Sequence, residues 1–238
     1  MTIALPSLNR LPATERGITI ADFLVPIRVG EAIGSRARHT ALVIAGALIV
    51  ALAAQVEIVQ QGQSIPLVAD YRIQLANTPV PITGQTFGVL LAGGALGLRR
   101  GALSLLLYLA LGLFLPVYSG GASGLDQLID RNDAGQWVLG VTGGYLVGFV
   151  AAAALVGWLA ELGWDRRIIG SIGAMVLASL LIYAVGVGWL MLALGVDLPT
   201  GVALGLTPFL IVDAIKLLAA AALFPAAWWV VGRRPGER

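Results

Sequence analysis

The sequence has no cysteine and a single histidine, His39, among its 238 residues. Without cysteine the chain can form no disulfide, no thiolate nucleophile and no cysteine-based metal or redox site. Charged residues are also scarce, because Asp, Glu, Lys and Arg together make up 12% of the chain. A soluble domain typically carries about twice that share of charge. These shortages argue against both a disulfide-rich secreted domain and an ordinary soluble protein.

Apolar residues are abundant instead, at 58% of the chain with a mean hydropathy of +0.89. They form long runs, and a run of roughly 20 apolar residues suffices to cross a bilayer. The first 20 residues contain Arg10 and Arg16 and lack a continuous apolar stretch. We therefore expect no cleavable signal peptide, and we expect the run that starts near Ala41 to act as the insertion signal.

The apolar runs predict an all-α integral membrane protein with six transmembrane helices. The predicted spans are residues 40–59, 85–98, 101–117, 138–160, 168–194 and 202–231. The second span is only about 20 Å long at 1.5 Å per residue. We therefore expect either that protein shelters it in part or that Pro79–Thr83 continues it as irregular backbone. Pro225 is expected to kink the last helix, and Gln60–Thr83 is expected to be a connection that does not span.

The distribution of Lys and Arg predicts that both termini are cytoplasmic. In that topology the outside segments keep only Arg72 and Arg131, whereas twelve arginines lie inside. The basic pI is thus a topology signal and gives no support for nucleic-acid binding. The predicted organisation is a cytoplasmic extension (1–39), a six-helix membrane domain (40–231) and a cytoplasmic tail (232–238).

Two segments outside the helices each allow two interpretations. Residues 1–39 are either a flexible topogenic tail or include a short surface helix around Ile18–Val29. The connection Tyr118–Gln136 is rich in glycine and contains three aspartates. It is either a plain solvated connection or a lid over the outer helix ends.

Asp213 and Lys216 are the strongest anomaly, because they lie inside an otherwise apolar span. Their i, i+3 spacing places both on one helix face, and charges inside a membrane must face protein or a wet cavity. One interpretation is a neutralising structural pair. The other is a polar ligand site in the outer half of the last helix, with Asp accepting N–H groups and Lys donating to a carbonyl or carboxylate.

Two further motifs could contribute to such a site. In Pro79–Thr86, two prolines precede Gln85 at the start of the second helix, although Thr before a helix is commonly an N-cap. In Val141–Phe149, Thr142 and Gly143 precede Tyr145, which offers an apolar ring and a hydroxyl. Glycines in this run are equally typical of close helix packing.

The first helix carries alanines at a spacing of four residues. Such small residues predict close helix–helix contact. The contact is either internal or made with another membrane subunit, and the residues concerned are Ala41, Ala45, Ala47 and Ala51.

The order of several short motifs resembles the BioY family, the biotin-specific substrate-binding (S) components of energy-coupling factor (ECF) transporters. The motifs are PVPITGQT, then GLRRGALS, then Tyr108 and Gly112, then LPVY, TGGYLVGF and finally PFLIVDAIK. The resemblance covers roughly Ala41–Ala222. The ordered combination of these motifs is more specific than any one motif alone. The resemblance implies a fold of six helices with both termini inside.

The resemblance also implies functional assignments. Asp213, Lys216, Tyr145, Gly143, Thr142 and Gln85 are expected to bind biotin, and the loop between the third and fourth helices is expected to cover it. The alanine stripe is expected to face a transmembrane T component, which works with two cytoplasmic ATPases in the plasma membrane of a prokaryote. Membrane lipids are the other expected partner, and no cofactor, metal or catalytic residue is expected. Consistent with this, the chain has no GxxxxGK[ST] sequence.

The chain departs from the family pattern in two places. The segment before Thr40 is longer than the family core requires. Residues Ile129–Trp137 form an apparent insertion before the TGGYL motif. No site residue is assigned from that insertion.

Three alternatives remain open at this point. An S component for riboflavin or thiamine would share the fold but not the order of motifs. A rhomboid-like serine protease would use the GxSG string around Ser123, but His39 is predicted on the opposite side of the membrane. A scaffold without a ligand would use Asp213 and Lys216 only as a structural pair.

Overall fold

The fold is taken from a computed structural model, in which residues 19–24, 34–59, 64–68, 71–74, 78–131 and 135–231 are described. The expected tail 232–238 and most of the expected extension 1–39 lie outside these residues. The helices are α1 (Ile20–Leu24), α2 (Ser35–Ala54), α3 (Gln85–Gly112), α4 (Gly143–Glu161), α5 (Ile168–Leu194), α6 (Leu198–Gly205) and α7 (Leu210–Val231). The strands are β1 (Glu57–Val59), β2 (Ser64–Val68), β3 (Tyr71–Gln74), β4 (Ile82–Thr83), β5 (Ile129–Arg131) and β6 (Trp137–Leu139).

The described chain is mostly helical and contains five helical segments long and apolar enough to cross a membrane. They are α2, α3, α4, α5 and the segment Leu198–Val230 that joins α6 and α7. Large apolar side chains such as Leu52, Leu180 and Ile215 are exposed on the outer surface of the bundle. That surface suits lipid rather than water. The count of six spans and the cytoplasmic position of both termini stay predictions.

The helix α3 is broken at Gly97, whose φ of 84° and ψ of 178° are not helical. In a straight helix, the Cα atoms of Gly93 and Gly101 would lie about 12 Å apart. Here a Cβ on Gly101 would stand 3.0 Å from the Gly93 Cα. The two halves of α3 therefore fold back on each other, close to the Arg99–Arg100 turn that the sequence predicted between two separate helices.

The break at Gly97 leaves backbone groups that side chains satisfy. The Leu98 N–H donates to Glu161 Oε1 at 2.9 Å, and Arg100 Nε donates to the Leu96 carbonyl oxygen at 2.9 Å. Gly97 supplies the positive φ that other residues rarely adopt. The chain thus reverses at Gly97, and the Leu98 N–H and the Leu96 carbonyl oxygen both keep a hydrogen-bond partner.

Several predicted helix boundaries were wrong. The first helix ends at Ala54 rather than residue 59, because Glu57–Val59 pairs as β1 with β4. The fourth helix begins at Gly143 rather than residue 138, because Trp137–Leu139 pairs as β6 with β5. Short apolar runs are compatible with either strand or helix. The predicted fifth helix, 168–194, agrees with α5.

The predicted last helix, 202–231, is interrupted between α6 and α7. Residues Thr207–Phe209 form a 3₁₀ turn there, and Pro208 has no N–H to donate to a helical hydrogen bond. The interruption places Asp213 in the first turn of a new helix, α7. A kink was predicted at Pro225, which lies inside α7, whereas the interruption at Pro208 was not predicted.

The described part of the N-terminal segment packs onto the bundle. Thr19, Ile20 and Ala21 are buried, and Arg100 donates to both carboxylate oxygens of Asp22 at 2.9 Å. Burial opposes ionisation of Asp22, but hydrogen bonds from Arg100 and Thr19 outweigh it and lower the pKa to about 2. For residues 19–24 these contacts favour the interpretation of a docked helix over that of a flexible tail.

The packing of α3 against α4 gives a direct test of the fold. A Cβ on Gly93 would lie 2.5 Å from Val156 Cγ1 and 2.6 Å from the Ala153 carbonyl oxygen. Gly93→Ala should lower the free energy of unfolding by about 1–3 kcal/mol, as overpacking does. Gly188→Ala on α5 is the matched control, because nothing lies within 4 Å of its Cβ position. Thermal unfolding in detergent measures both, and equal stability of the two variants would contradict this packing.

Candidate ligand-binding site

A cavity lies where the first turns of α3, α4 and α7 meet the middle of α5. It contains about 540 Å³ of space free of protein atoms, part of which is open to solvent. One side of the cavity is polar and the other is aromatic.

The polar side is centred on Asp213 and Lys216, both of which are buried. Lys216 Nζ donates to Asp213 Oδ1 at 2.6 Å and to the Thr83 carbonyl oxygen at 2.5 Å. Asp213 also accepts hydrogen bonds from Tyr183 Oη at 2.5 Å and from Thr86 Oγ1 at 3.1 Å. The two charges are thus paired and surrounded by hydrogen-bonding groups, the arrangement that a buried ion pair requires.

Four separate elements bring these groups together. Asp213 and Lys216 come from α7, and their partners come from α5 (Tyr183), α3 (Thr86) and β4 (the Thr83 carbonyl). Strand β4 is held by β1, with Glu57 opposite Thr83. Since β1 follows directly on α2, the position of the Thr83 carbonyl depends on the end of that helix.

The aromatic side is formed by Tyr145, Phe209, Phe149 and the ring of Tyr183. The rings of Tyr145 and Phe209 stack with centroids 6.1 Å apart and planes inclined by 27°. The Tyr145 hydroxyl donates to the Gly205 carbonyl oxygen at 2.6 Å. That bond satisfies one carbonyl at the end of α6 and holds the Tyr145 ring against the cavity.

The other predicted site residues are placed differently. Gln85 and Thr142 line the cavity, and the Thr142 hydroxyl donates to Gln127 Oε1 at 3.0 Å. Gly143 is not among the lining residues. A Cβ on Gly143 would lie 2.9 Å from the Trp189 ring, so this glycine serves the close packing of α4 against α5.

Sequence reasoning did not single out several lining residues. Thr86 and Tyr183 bind Asp213, Phe209 stacks on Tyr145, and Tyr118 and Gln127 lie on the side of the covering loop. Thr86 and Phe209 stood within the PVPITGQT and PFLIVDAIK motifs, which were a signal for them. Tyr183 lies in the apolar run of α5, and its hydroxyl was the only feature of the sequence there that could have indicated a site residue.

The connection 113–142 covers one side of the cavity. Its residues Tyr118, Ser119 and Gln127 contribute to the lining. The described part of the insertion contributes to the paired strands β5 and β6, with the Arg131 guanidinium 4.4 Å from the centroid of the Trp137 ring. None of the described residues of these two strands lines the cavity.

The alanine stripe of α2 is divided by the structure. Ala41 and Ala45 are exposed, whereas Ala47 and Ala51 have exposed fractions of 0% and 8% and belong to the core. Only the first two can face another subunit in this conformation, and their role as an interface stays a prediction. For Ala47 and Ala51, burial favours the alternative of internal packing.

The described residues contain no cluster of three or more His, Cys, Asp or Glu side chains that could hold a metal ion. Ser123 of the GxSG string is exposed and is not a lining residue of the cavity. A serine protease needs a base beside its serine. Lys216, a second side chain that could act as a base, is held by Asp213 and the Thr83 carbonyl. The arrangement suits binding of a polar ligand group next to an apolar ring.

Residues 65–233 match the sequence profile of the BioY family. The chain belongs to the BioY family. This match includes every residue of the cavity named above, but it begins after α1, α2 and β1. With the apolar helices, membership makes the chain a multi-pass membrane protein of the prokaryotic plasma membrane.

Relatives in the BioY family are described as biotin transporters. The chain is 35% identical over 159 residues to the biotin transporter BioY of Rhizobium etli, which covers 63% of this chain and 79% of the relative. It is 36% identical to the biotin transporter BioY of Thermotoga maritima, over 60% of this chain and 78% of the relative. The probable biotin transporter BioY of Pyrococcus horikoshii is 35% identical, over 63% of this chain and 81% of the relative.

The fold resembles a crystal structure described as the S-component for biotin from an ECF-type ABC transporter. The TM-score is 0.64 at 24% identity, and the match covers 82% of this chain and 93% of the other. At that identity the likeness establishes the S-component fold of this BioY chain.

The ion pair makes a prediction for the ligand-free protein. Asp213→Asn leaves the Lys216 ammonium buried without its counter-charge, which should lower the free energy of unfolding by about 3 kcal/mol. Asp126→Asn is the matched control, because Asp126 is exposed on the covering loop. The double variant Asp213→Leu/Lys216→Met should lower the free energy of unfolding less than Asp213→Asn alone, since it buries no unpaired charge. Thermal unfolding that shows no difference between Asp213→Asn and the control would contradict the burial of the pair.

Proposed function

We propose that the chain binds biotin at this cavity and serves as the substrate-specific subunit of an ECF-type transporter. The observation that carries the proposal is a buried, hydrogen-bonded acid–base pair beside stacked aromatic rings, in a chain of the BioY family. Relatives described as biotin transporters support the same substrate, and the S-component fold supports the role of a substrate-binding subunit.

The chemistry of biotin matches the two sides of the cavity. Its ureido ring carries two N–H donors and one strong acceptor oxygen, and its thioether ring is apolar. An ionised carboxylate has about four acceptor sites, and Lys216, Thr86 and Tyr183 occupy three of those of Asp213. Asp213 can therefore accept one further hydrogen bond, from a ureido N–H group. Lys216 can donate either to the ureido oxygen or to the valerate carboxylate. Tyr145 and Phe209 cover the apolar ring.

The same side chains explain selectivity for a ligand with both donors and acceptors. A ligand that lacks them would displace water from Asp213 and Lys216 without replacing its hydrogen bonds. A site built to hydrogen-bond its ligand discriminates strongly against analogues without those groups. A flavin, which is larger than biotin, would meet a cavity bounded by the rings of Tyr145, Tyr183 and Phe209.

The proposed direction of entry is from the outside, through the end of the bundle covered by residues 113–142. Uptake would then require a T component and two cytoplasmic ATPases as partners, and the chain would carry out no catalysis itself. The exposed residues Ala41 and Ala45 of α2 are the proposed contact with the T component. The segments 1–39 and 232–238 are proposed to be cytoplasmic.

Titration calorimetry on purified protein stripped of ligand tests the proposal. We expect one-to-one binding of biotin and no binding of riboflavin or thiamine. Asp213→Asn and Lys216→Met should each weaken biotin binding at least about tenfold, because hydrogen bonds to charged groups contribute about 1.5–3 kcal/mol.

Asp126→Asn and Arg99→Met are the matched controls, since both residues are exposed and neither lines the cavity. Their affinity for biotin should equal that of the wild type. A folded wild-type protein that binds riboflavin or thiamine instead of biotin would establish the alternative S component. A folded protein that binds none of the three would leave the scaffold interpretation.

A further inference from the structure

We propose that Tyr108, which does not line the cavity, is a positioning residue for the binding site and acts through Gln85. This inference rests on the proposed function, because it concerns how the chain prepares its cavity for the ligand. Tyr108 lies in the second half of α3 and has an exposed fraction of 0%. Its hydroxyl oxygen accepts a hydrogen bond from Gln85 Nε2 at 2.6 Å.

The amide of Gln85 is occupied at both of its atoms. Besides the bond to Tyr108, Gln85 Oε1 accepts from the Thr83 hydroxyl at 2.9 Å, and the Gln85 backbone N–H donates to the same hydroxyl oxygen at 3.2 Å. Each of the two amide atoms of Gln85 therefore makes one hydrogen bond to the protein, although Gln85 is a lining residue. These bonds let Gln85 fix the position of Thr83.

Thr83 connects this arrangement to the charged pair. Its carbonyl oxygen accepts from Lys216 Nζ, which also binds Asp213. Hydrogen bonds thus join Tyr108 to Gln85 and Gln85 to the Thr83 hydroxyl, and the covalent frame of Thr83 links that hydroxyl to the carbonyl that Lys216 binds. The bonds from Tyr108 to Thr83 are all buried, where loss of one partner leaves the other group unsatisfied.

Tyr108 also contacts the covering loop. Its ring meets that of Tyr118 edge-on, with centroids 5.6 Å apart, and Tyr118 lines the cavity at the start of the loop. The Tyr118 hydroxyl donates to the Leu109 carbonyl oxygen at 2.8 Å, next to Tyr108 in the chain. Tyr108 therefore lies at the junction between the polar side of the cavity and the loop that covers it.

Removal of the Tyr108 hydroxyl should loosen Gln85 and Thr83 without removing any group that faces the ligand. Biotin would then have to order these side chains when it binds. The expected effect of Tyr108→Phe is a rise in the biotin Kd of about three- to tenfold, the cost of ordering one long side chain. The ring contact with Tyr118 is preserved by Phe.

Lys216 offers a readout that needs no ligand, because it is the single lysine of the sequence. Full-length protein labelled with [15N]lysine should therefore give one side-chain Nζ resonance in detergent. If Tyr108 positions Thr83 through Gln85, Tyr108→Phe should move the Thr83 carbonyl that Lys216 binds and so shift that resonance. Ser104→Ala is the matched control, because it removes another buried hydroxyl from α3 whose partner is the Arg100 carbonyl.

The experiment records this resonance and the biotin Kd for the wild type, Tyr108→Phe, Ser104→Ala, Gln85→Met and the double variant Tyr108→Phe/Gln85→Met. A shifted resonance and a raised Kd in Tyr108→Phe, with a double variant no weaker than Gln85→Met alone, would support the proposal. Such non-additivity is expected only when the two residues act as a unit.

Two results would overturn the proposal. One is a Lys216 resonance and Kd in Tyr108→Phe that equal those of Ser104→Ala. The other is a double variant in which the two effects on Kd multiply. If the wild type does not bind biotin, the proposed function fails, and the resonance of Tyr108→Phe against Ser104→Ala alone decides whether Tyr108 positions Lys216.

Discussion

The structure around the cavity depends on the ion pair between Asp213 and Lys216. Two charges in an apolar span are tolerated only where partners replace the water they have lost. Here the partners come from β4, α3 and α5, through the Thr83 carbonyl, Thr86 and Tyr183. The pair therefore fixes how the start of α7 meets three other elements, and it leaves charge at the wall of a cavity.

The positions of these partners depend in turn on places where helical structure stops. Pro208 ends the helical run before Asp213, and the strand β1 takes over from α2. Each interruption frees backbone groups that need hydrogen bonds, and irregular backbone in a membrane is tolerated where protein covers it. The cavity lies beside these two interruptions, where the carbonyl groups of Thr83 and Gly205 are available to side chains.

Much of this could be predicted from the sequence, for physical reasons. Long apolar runs indicate membrane helices however those helices pack. The i, i+3 spacing of Asp213 and Lys216 brings them together in any helix. The contacts of Thr86 and Tyr183 with Asp213 could not be read in the same way, because the residues of each pair are separated by 127 and 30 positions. Gly143 and Ala47 were misleading since small residues suit both ligand sites and close packing, and only the three-dimensional structure shows their neighbours.

A structure of the protein with bound biotin would show whether biotin binds at the Asp213–Lys216 pair. We expect polar atoms of biotin within hydrogen-bonding distance of the Asp213 carboxylate and the Lys216 ammonium, with its apolar ring against Tyr145 and Phe209. Biotin bound outside the cavity, with Lys216 still held by Asp213 and Thr83 and in contact with no ligand atom, would contradict this expectation.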